Sequence, residues 1–141
     1  MTVRVSRTLE FAAPVDDVWA FIVDPAKRAS AISVVDSFDV DGPDATWQVA
    51  LPIPVVSSTV TVETEETVRD PPHHVQFVGT SRVFRVQGEH TVEETEDGCQ
   101  LVNEFVVDGR LPGVERFFEK NLDDELSNLE SALRRDLGLT A

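Results

Sequence analysis

Cysteine occurs once in this 141-residue chain, as Cys99. An intramolecular disulfide framework is therefore excluded, and a reducing compartment is the default setting. No window approaches about 18 uncharged apolar residues, so no membrane span is expected. The N-terminal MTVRVSRTLEF alternates apolar and polar residues and lacks the apolar run of a signal peptide, which makes a cytoplasmic location the expectation. Signatures of metal and cofactor chemistry are missing too: there is no HExxH, Cys/His cluster, GxSxG, P-loop or dinucleotide fingerprint. The expectation is no cofactor and no metal. Internal repeats, low-complexity segments and linkers are also absent, so residues 1–141 read as one domain.

Basic residues are scarce and lopsided. Twelve stand against 26 acidic ones, giving a formal charge of −14, and only Lys27 and Lys120 of the twelve are lysine. Phosphate backbones and anionic membrane surfaces would be repelled, so nucleic-acid binding is not expected. The acids are spread along the chain rather than gathered in a tail, which is the pattern of a solvated surface. An acidic, lysine-poor surface repels itself at low salt and is tolerated best under concentrated cations. The composition resembles that of proteins from salt-accumulating haloarchaea.

What is present is a clear order of periodicities. Residues 3 to 11 alternate as a strand. Ala12-Ala13-Pro14 opens a helix carrying Val15, Val18, Trp19 and Ile22 at helical spacing, which Asp24-Pro25 stops. A second short helix is expected from about Pro25 to Ala31. Strands then follow over 34–40, 46–51, 56–68, 75–80, 83–94 and 99–107, separated by turns at Asp41-Gly42-Pro43-Asp44, Asp70-Pro71-Pro72 and Thr95-Glu96-Asp97-Gly98. From Leu111-Pro112-Gly113 the period changes: Val114, Phe117, Phe118, Leu122, Leu126, Leu129, Leu133 and Leu137 recur every three or four positions, a stripe that needs a sheet to lie on. Gly138 reads as the helix stop.

The opening SRTLEFAAPVDDVWAFIVDP and the later QGEHTVEETEDGCQLVNEFVVDGRLPGVERFFEK resemble the START-related (SRPBCC) superfamily of polyketide cyclase/dehydrase-like proteins. The VDGRLPG segment looks like the branch of that superfamily associated with carbon monoxide dehydrogenase. AKRASAI stands where many superfamily members have a Trp and that branch a Pro-Gly pair. The resemblance covers essentially the whole chain. It implies an α+β helix-grip fold: a curved antiparallel sheet of about six or seven strands wrapped around the long C-terminal helix, with two short helices after the first strand and a cavity between sheet and helix.

In such a fold, alternation sorts side chains by face. The expected inward set includes Val34, Asp36, Phe38 and Val40, then Trp47, Val56, Ser58, Phe77, His90, Asn103 and Phe105, with Phe117 and Phe118 from the helix. Turn arithmetic pairs Glu94 with Cys99, His90 with Asn103 and Phe38 with Trp47. His90 and Asn103 are candidates to bind a carbonyl or hydroxyl, or to move a proton, with Asp36 orienting; they serve equally as a self-satisfied polar corner. Phe38, Trp47, Phe77, Phe105, Phe117 and Phe118 are candidate ligand-lining residues that also read as core. His73-His74 reads as a turn, Cys99 as an inert thiol, and Glu63, Glu65 and Glu66 as a solvated strand edge.

Three functions remain open on these residues. The first is binding of a small hydrophobic molecule, such as a lipid, polyketide-like or isoprenoid compound. The second is a cyclase/dehydratase-type enzyme using His90, Asn103 and Asp36. The third is an accessory protein recruiting a partner enzyme through its surface. The oligomeric state is left open.

Overall fold

The computed structural model describes residues 2–52, 59–111 and 113–139. Its elements run β1 (Thr2–Phe11), α1 (Val15–Ile22), α2 (Pro25–Ala31), β2 (Val35–Asp41), β3 (Asp44–Val49), β4 (Val60–Asp70), β5 (His74–Thr80), β6 (Phe84–Thr95), β7 (Gly98–Gly109) and α3 (Val114–Asp136). The seven strands form one antiparallel sheet in the order β1-β7-β6-β5-β4-β3-β2. The meander from β2 to β7 follows from short turns between consecutive strands, and β1 closes onto β7.

Local chemistry accounts for the helix boundaries. Asp24 ends α1 and also caps α2, its side chain accepting from Ala26 N at 2.9 Å and Lys27 N at 3.3 Å, with Pro25 in the first turn. The 23-residue α3 ends where Gly138 adopts φ 70°. There Leu139 N donates to Arg134 O at 2.8 Å and Gly138 N to Arg135 O at 3.2 Å, the two bonds of a Schellman motif.

The stripe of α3 divides its burial between two clusters. Val114, Phe118, Leu122 and Leu126 pack over the sheet with Trp47, Phe77, Phe105 and Val107. Leu129 and Leu133 join α1 and the β1/β7 end through Phe11, Val18, Phe21 and Leu101. Each buried leucine contributes about 1.5–3 kcal/mol. Gly88 lies between Phe77 and Phe105 in register, and a Cβ there would meet Phe77 Cε1 at 2.3 Å and Phe105 Cε1 at 3.0 Å. Only a glycine lets both rings cross β6 at that point.

Several expected positions are corrected. Val35 pairs with Val49 but Ser37 pairs with Gln48, so Asp36 is the extra residue of a β-bulge and is exposed. The bulge shifts the alternation: Val34 and Val35 face the cavity, Phe38 is half-buried, and Val40, at the turn end of this edge strand, is 45% exposed. β4 is flanked by β3 and β5, so its acids are not a strand edge; Glu63 and Glu65 are solvated, whereas Glu66 is turned inward beside a second bulge and grips Arg69. Val56 and Ser58 lie outside the described residues.

Candidate functional site

The β6–β7 hairpin builds the centre of the site. Its turn closes with Thr95 opposite Gly98, and the ladder runs without a bulge through Glu94–Cys99 to His90–Asn103. Even-numbered β6 residues and odd-numbered β7 residues face the core, so both side chains are buried, at 1% and 0% exposure. His90 Nδ1 lies 2.6 Å from Asn103 Oδ1. Burial pushes the imidazole down to about 4, and the bond to Asn103 opposes this only in part; Arg28 and His74 push the same way as burial. His90 is therefore neutral at neutral pH and carries one proton. An amide oxygen only accepts, so that proton sits on Nδ1, and Nε2 is left as a bare acceptor.

Around this pair stands an aromatic wall. Phe77 stacks on His90 with centroids 6.2 Å apart, Phe105 meets His90 edge-on at 5.7 Å, and Trp47 meets Phe77 edge-on at 6.0 Å. Together with Phe84, Phe118 and aliphatic residues of α3 they enclose a cavity of about 60 Å³ whose wall is almost wholly apolar. That space suits a small apolar group or about four water molecules. Three buried side-chain atoms here have no hydrogen-bond partner among the described residues: Trp47 Nε1, His90 Nε2 and Asn103 Nδ2. Two are donors and one is an acceptor.

Of the residues expected in the site, Trp47, Phe77, His90, Phe105 and Phe118 line the cavity, and Asn103 stands behind His90. Phe38 and Phe117 do not line it; both are half-buried against the same core cluster, and Phe117 packs edge-on against Phe118 at 5.2 Å. Asp36 is on the surface. Cys99 is fully buried, and burial with Asp17 pushes its thiol up, away from the thiolate form. His73 Nδ1 lies 2.9 Å from Val92 O, while His74 faces Glu89 at 3.4 Å. No group of three metal-ligating side chains occurs among the described residues.

Arg28 belongs to the cavity wall and escapes the sequence reading. It is 5% exposed, sits with its Cζ 4.9 Å from the Phe77 ring centroid, and donates from Nη1 to Ile22 O at 3.2 Å. Neighbouring Lys27 instead reaches Asp136 at the surface. In a seven-residue helix two adjacent basic residues carry no periodic signal to separate them. At the mouth, Ser33 donates from its backbone N to Glu125 Oε2 at 2.8 Å and from its hydroxyl to Glu125 Oε1, tying the α2–β2 connection to α3.

The family described as polyketide cyclase / dehydrase and lipid transport matches residues 2–134. No curated protein matches. Among solved structures, a conserved protein from Geobacillus kaustophilus superposes with a TM-score of 0.76 at 17% identity, over 98% of this chain and 95% of that one. A START superfamily protein from Mycobacterium smegmatis gives 0.74 at 17% identity, over 97% and 99%. The Zhui aromatase/cyclase from a Streptomyces species gives 0.67 at 20% identity, over 96% of each chain. The match along nearly the whole sequence, on a helix-grip architecture, leads to one assignment: the chain belongs to the family described as polyketide cyclase / dehydrase and lipid transport.

Proposed function

We propose that this protein binds a small, mainly apolar molecule carrying a hydrogen-bonding group, held between the sheet and α3. The observation that carries this reading is an apolar cavity lined by Trp47 and His90, whose buried Nε1 and Nε2 atoms have no hydrogen-bond partner among the described residues. Folded proteins leave few buried polar groups unsatisfied, at about 1–3 kcal/mol each. A ligand hydroxyl donating to His90 Nε2, or a ligand oxygen accepting from Trp47, would remove that cost. A chain larger than the present cavity takes its space from the side where the lining residues Ile32 and Val34 are only half-buried.

Binding is favoured over acid–base catalysis by His90 itself. An imidazole held near 4 is a weak base, and its one proton at neutral pH is the Nδ1 proton on Asn103, which leaves none on Nε2 to give. Recruitment of a partner has less support, since the large exposed apolar residues Val40, Val68 and Leu111 stand on separate elements. The acidic, lysine-poor surface supports a salt-rich setting for binding.

Native mass spectrometry of protein purified in molar KCl tests the reading. A reproducible added mass, lost on denaturation, is expected. An unliganded mass, together with an unchanged thermal midpoint in saturating hexanol, octanol and decanol, contradicts it.

A further inference from the structure

The wall of the cavity meets solvent where α2 passes into β2. Among the described lining residues, Ile32, Val34, Val35 and Glu125 are half-buried, and every other one is buried. The first three belong to the stretch that joins α2 to β2, and Glu125 meets that stretch from α3. Residues 32–34 have no ladder of their own. They form a turn, with Val35 N donating to Ile32 O at 3.2 Å. Backbone bonds pin its two ends, Ile32 N to Ala29 O at 3.2 Å and Ala50 N to Val34 O at 2.8 Å. Because the bulge at Asp36 breaks the alternation, Val34 and Val35 both face the cavity. A turn anchored at both ends and apolar on its inner side has the form of a flap.

Glu125 holds this turn against α3. Its carboxylate accepts from the Ser33 backbone N at Oε2, 2.8 Å away, and from the Ser33 hydroxyl at Oε1. Asn128, one turn along α3, donates to the same Oε1 at 3.3 Å and keeps the carboxylate turned that way. Ser33 itself is exposed and is not among the lining residues. Hydrogen bonds to a carboxylate are strong enough to favour one position, yet in contact with water they break and re-form. The strands and α3, by contrast, are pinned by close-packed buried side chains and do not swing aside without disrupting the core. We propose that residues 32–34 are a flap over the cavity and that the Glu125–Ser33 contact is its latch, so that ligand enters and leaves when the latch opens. This rests on the binding reading above and deepens it by assigning how access to that site is controlled.

Nitrogen-15 lineshape analysis of the Trp47 indole signal across an octanol titration gives the association rate, the dissociation rate and the affinity together. The latch holds the flap equally in the empty and the occupied protein, so losing it speeds entry and exit alike. Glu125→Ala removes both bonds to Ser33 and is expected to raise both rates by about tenfold. Ser33→Ala removes the hydroxyl bond alone. Both rates are then expected to rise by about threefold, with the dissociation constant changed by less than about twofold. Rates that match the wild type in both variants overturn the latch and leave the site standing. A faster exit at an unchanged entry rate makes Glu125 and Ser33 part of the grip on the ligand and overturns the latch too. A Trp47 signal unmoved at saturating octanol in the wild type brings down the binding reading itself. Should Glu125→Ala fail to fold, Ser33→Ala, a change at an exposed turn position, decides alone.

Discussion

At His90 a single ring combines two properties that pull in different directions. Its Nδ1 proton is locked onto Asn103, while its Nε2 lone pair has no partner among the described residues. The folded protein holds this imidazole near 4, below the 6.5 of an unfolded chain. Acidification through that window therefore protonates the unfolded chain first and draws the equilibrium toward it; below about 4 both states bind the proton and no further stability is lost. The stability of the wild type relative to His90→Gln is expected to fall by about 3 kcal/mol between neutral pH and pH 4, measured by urea denaturation at each pH. A difference that does not change with pH would contradict the buried neutral ring. Gly88→Ala tests the wall beside it. The added methyl collides with the Phe77 ring, a lining residue of the cavity, so a loss of about 1–3 kcal/mol together with weaker octanol binding is expected from denaturation and calorimetry. The pairing of His90 with Asn103 was legible because a tight turn and an unbroken ladder reduce register to counting. Asp36 was not legible as a surface residue, because a bulge leaves no mark in an alternating pattern. Arg28 was hidden for a different reason: a helix of two turns cannot reveal which of Lys27 and Arg28 it buries.

Among the elements, α3 does two jobs along its length, and two leucines separate them. Leu126 and Leu133 are both buried, but Leu126 lines the cavity whereas Leu133 packs with α1 and the β1/β7 end. Truncating either to Ala is expected to cost about 2–5 kcal/mol. Only Leu126→Ala also enlarges the cavity, so it alone is expected to improve binding of decanol relative to octanol. Equal effects of the two variants on ligand size preference would argue that the cavity is not where the chain lies. The amphipathic stripe, its glycine stop and the succession of strands along the chain could be read in advance, since each follows from local period and turn chemistry. The cavity's size could not. It depends on how Phe118, Phe105 and Phe77 divide one interior volume, and that division is settled by three-dimensional packing rather than by sequence spacing.

Across the whole molecule, a charge of −14 surrounds an apolar interior with one buried arginine at its edge. Acidic side chains on the edge strand β2, Asp36, Asp39 and Asp41, guard it against pairing with another chain. Self-repulsion of this surface is relieved by cations, so the denaturation midpoint is expected to rise from low to molar KCl; a flat midpoint would remove the salt-rich setting without touching the site. The central claim is that a ligand occupies the space between sheet and helix, and the indole protons report on it directly. Trp47 lines the cavity with an Nε1–H that has no partner among the described residues, while Trp19 packs in the other cluster. In a nitrogen-15 NMR titration with octanoate or octanol, the Trp47 indole signal is expected to shift saturably while that of Trp19 stays in place. An unmoved Trp47 signal at saturating ligand, or a shift confined to Trp19, would contradict the account.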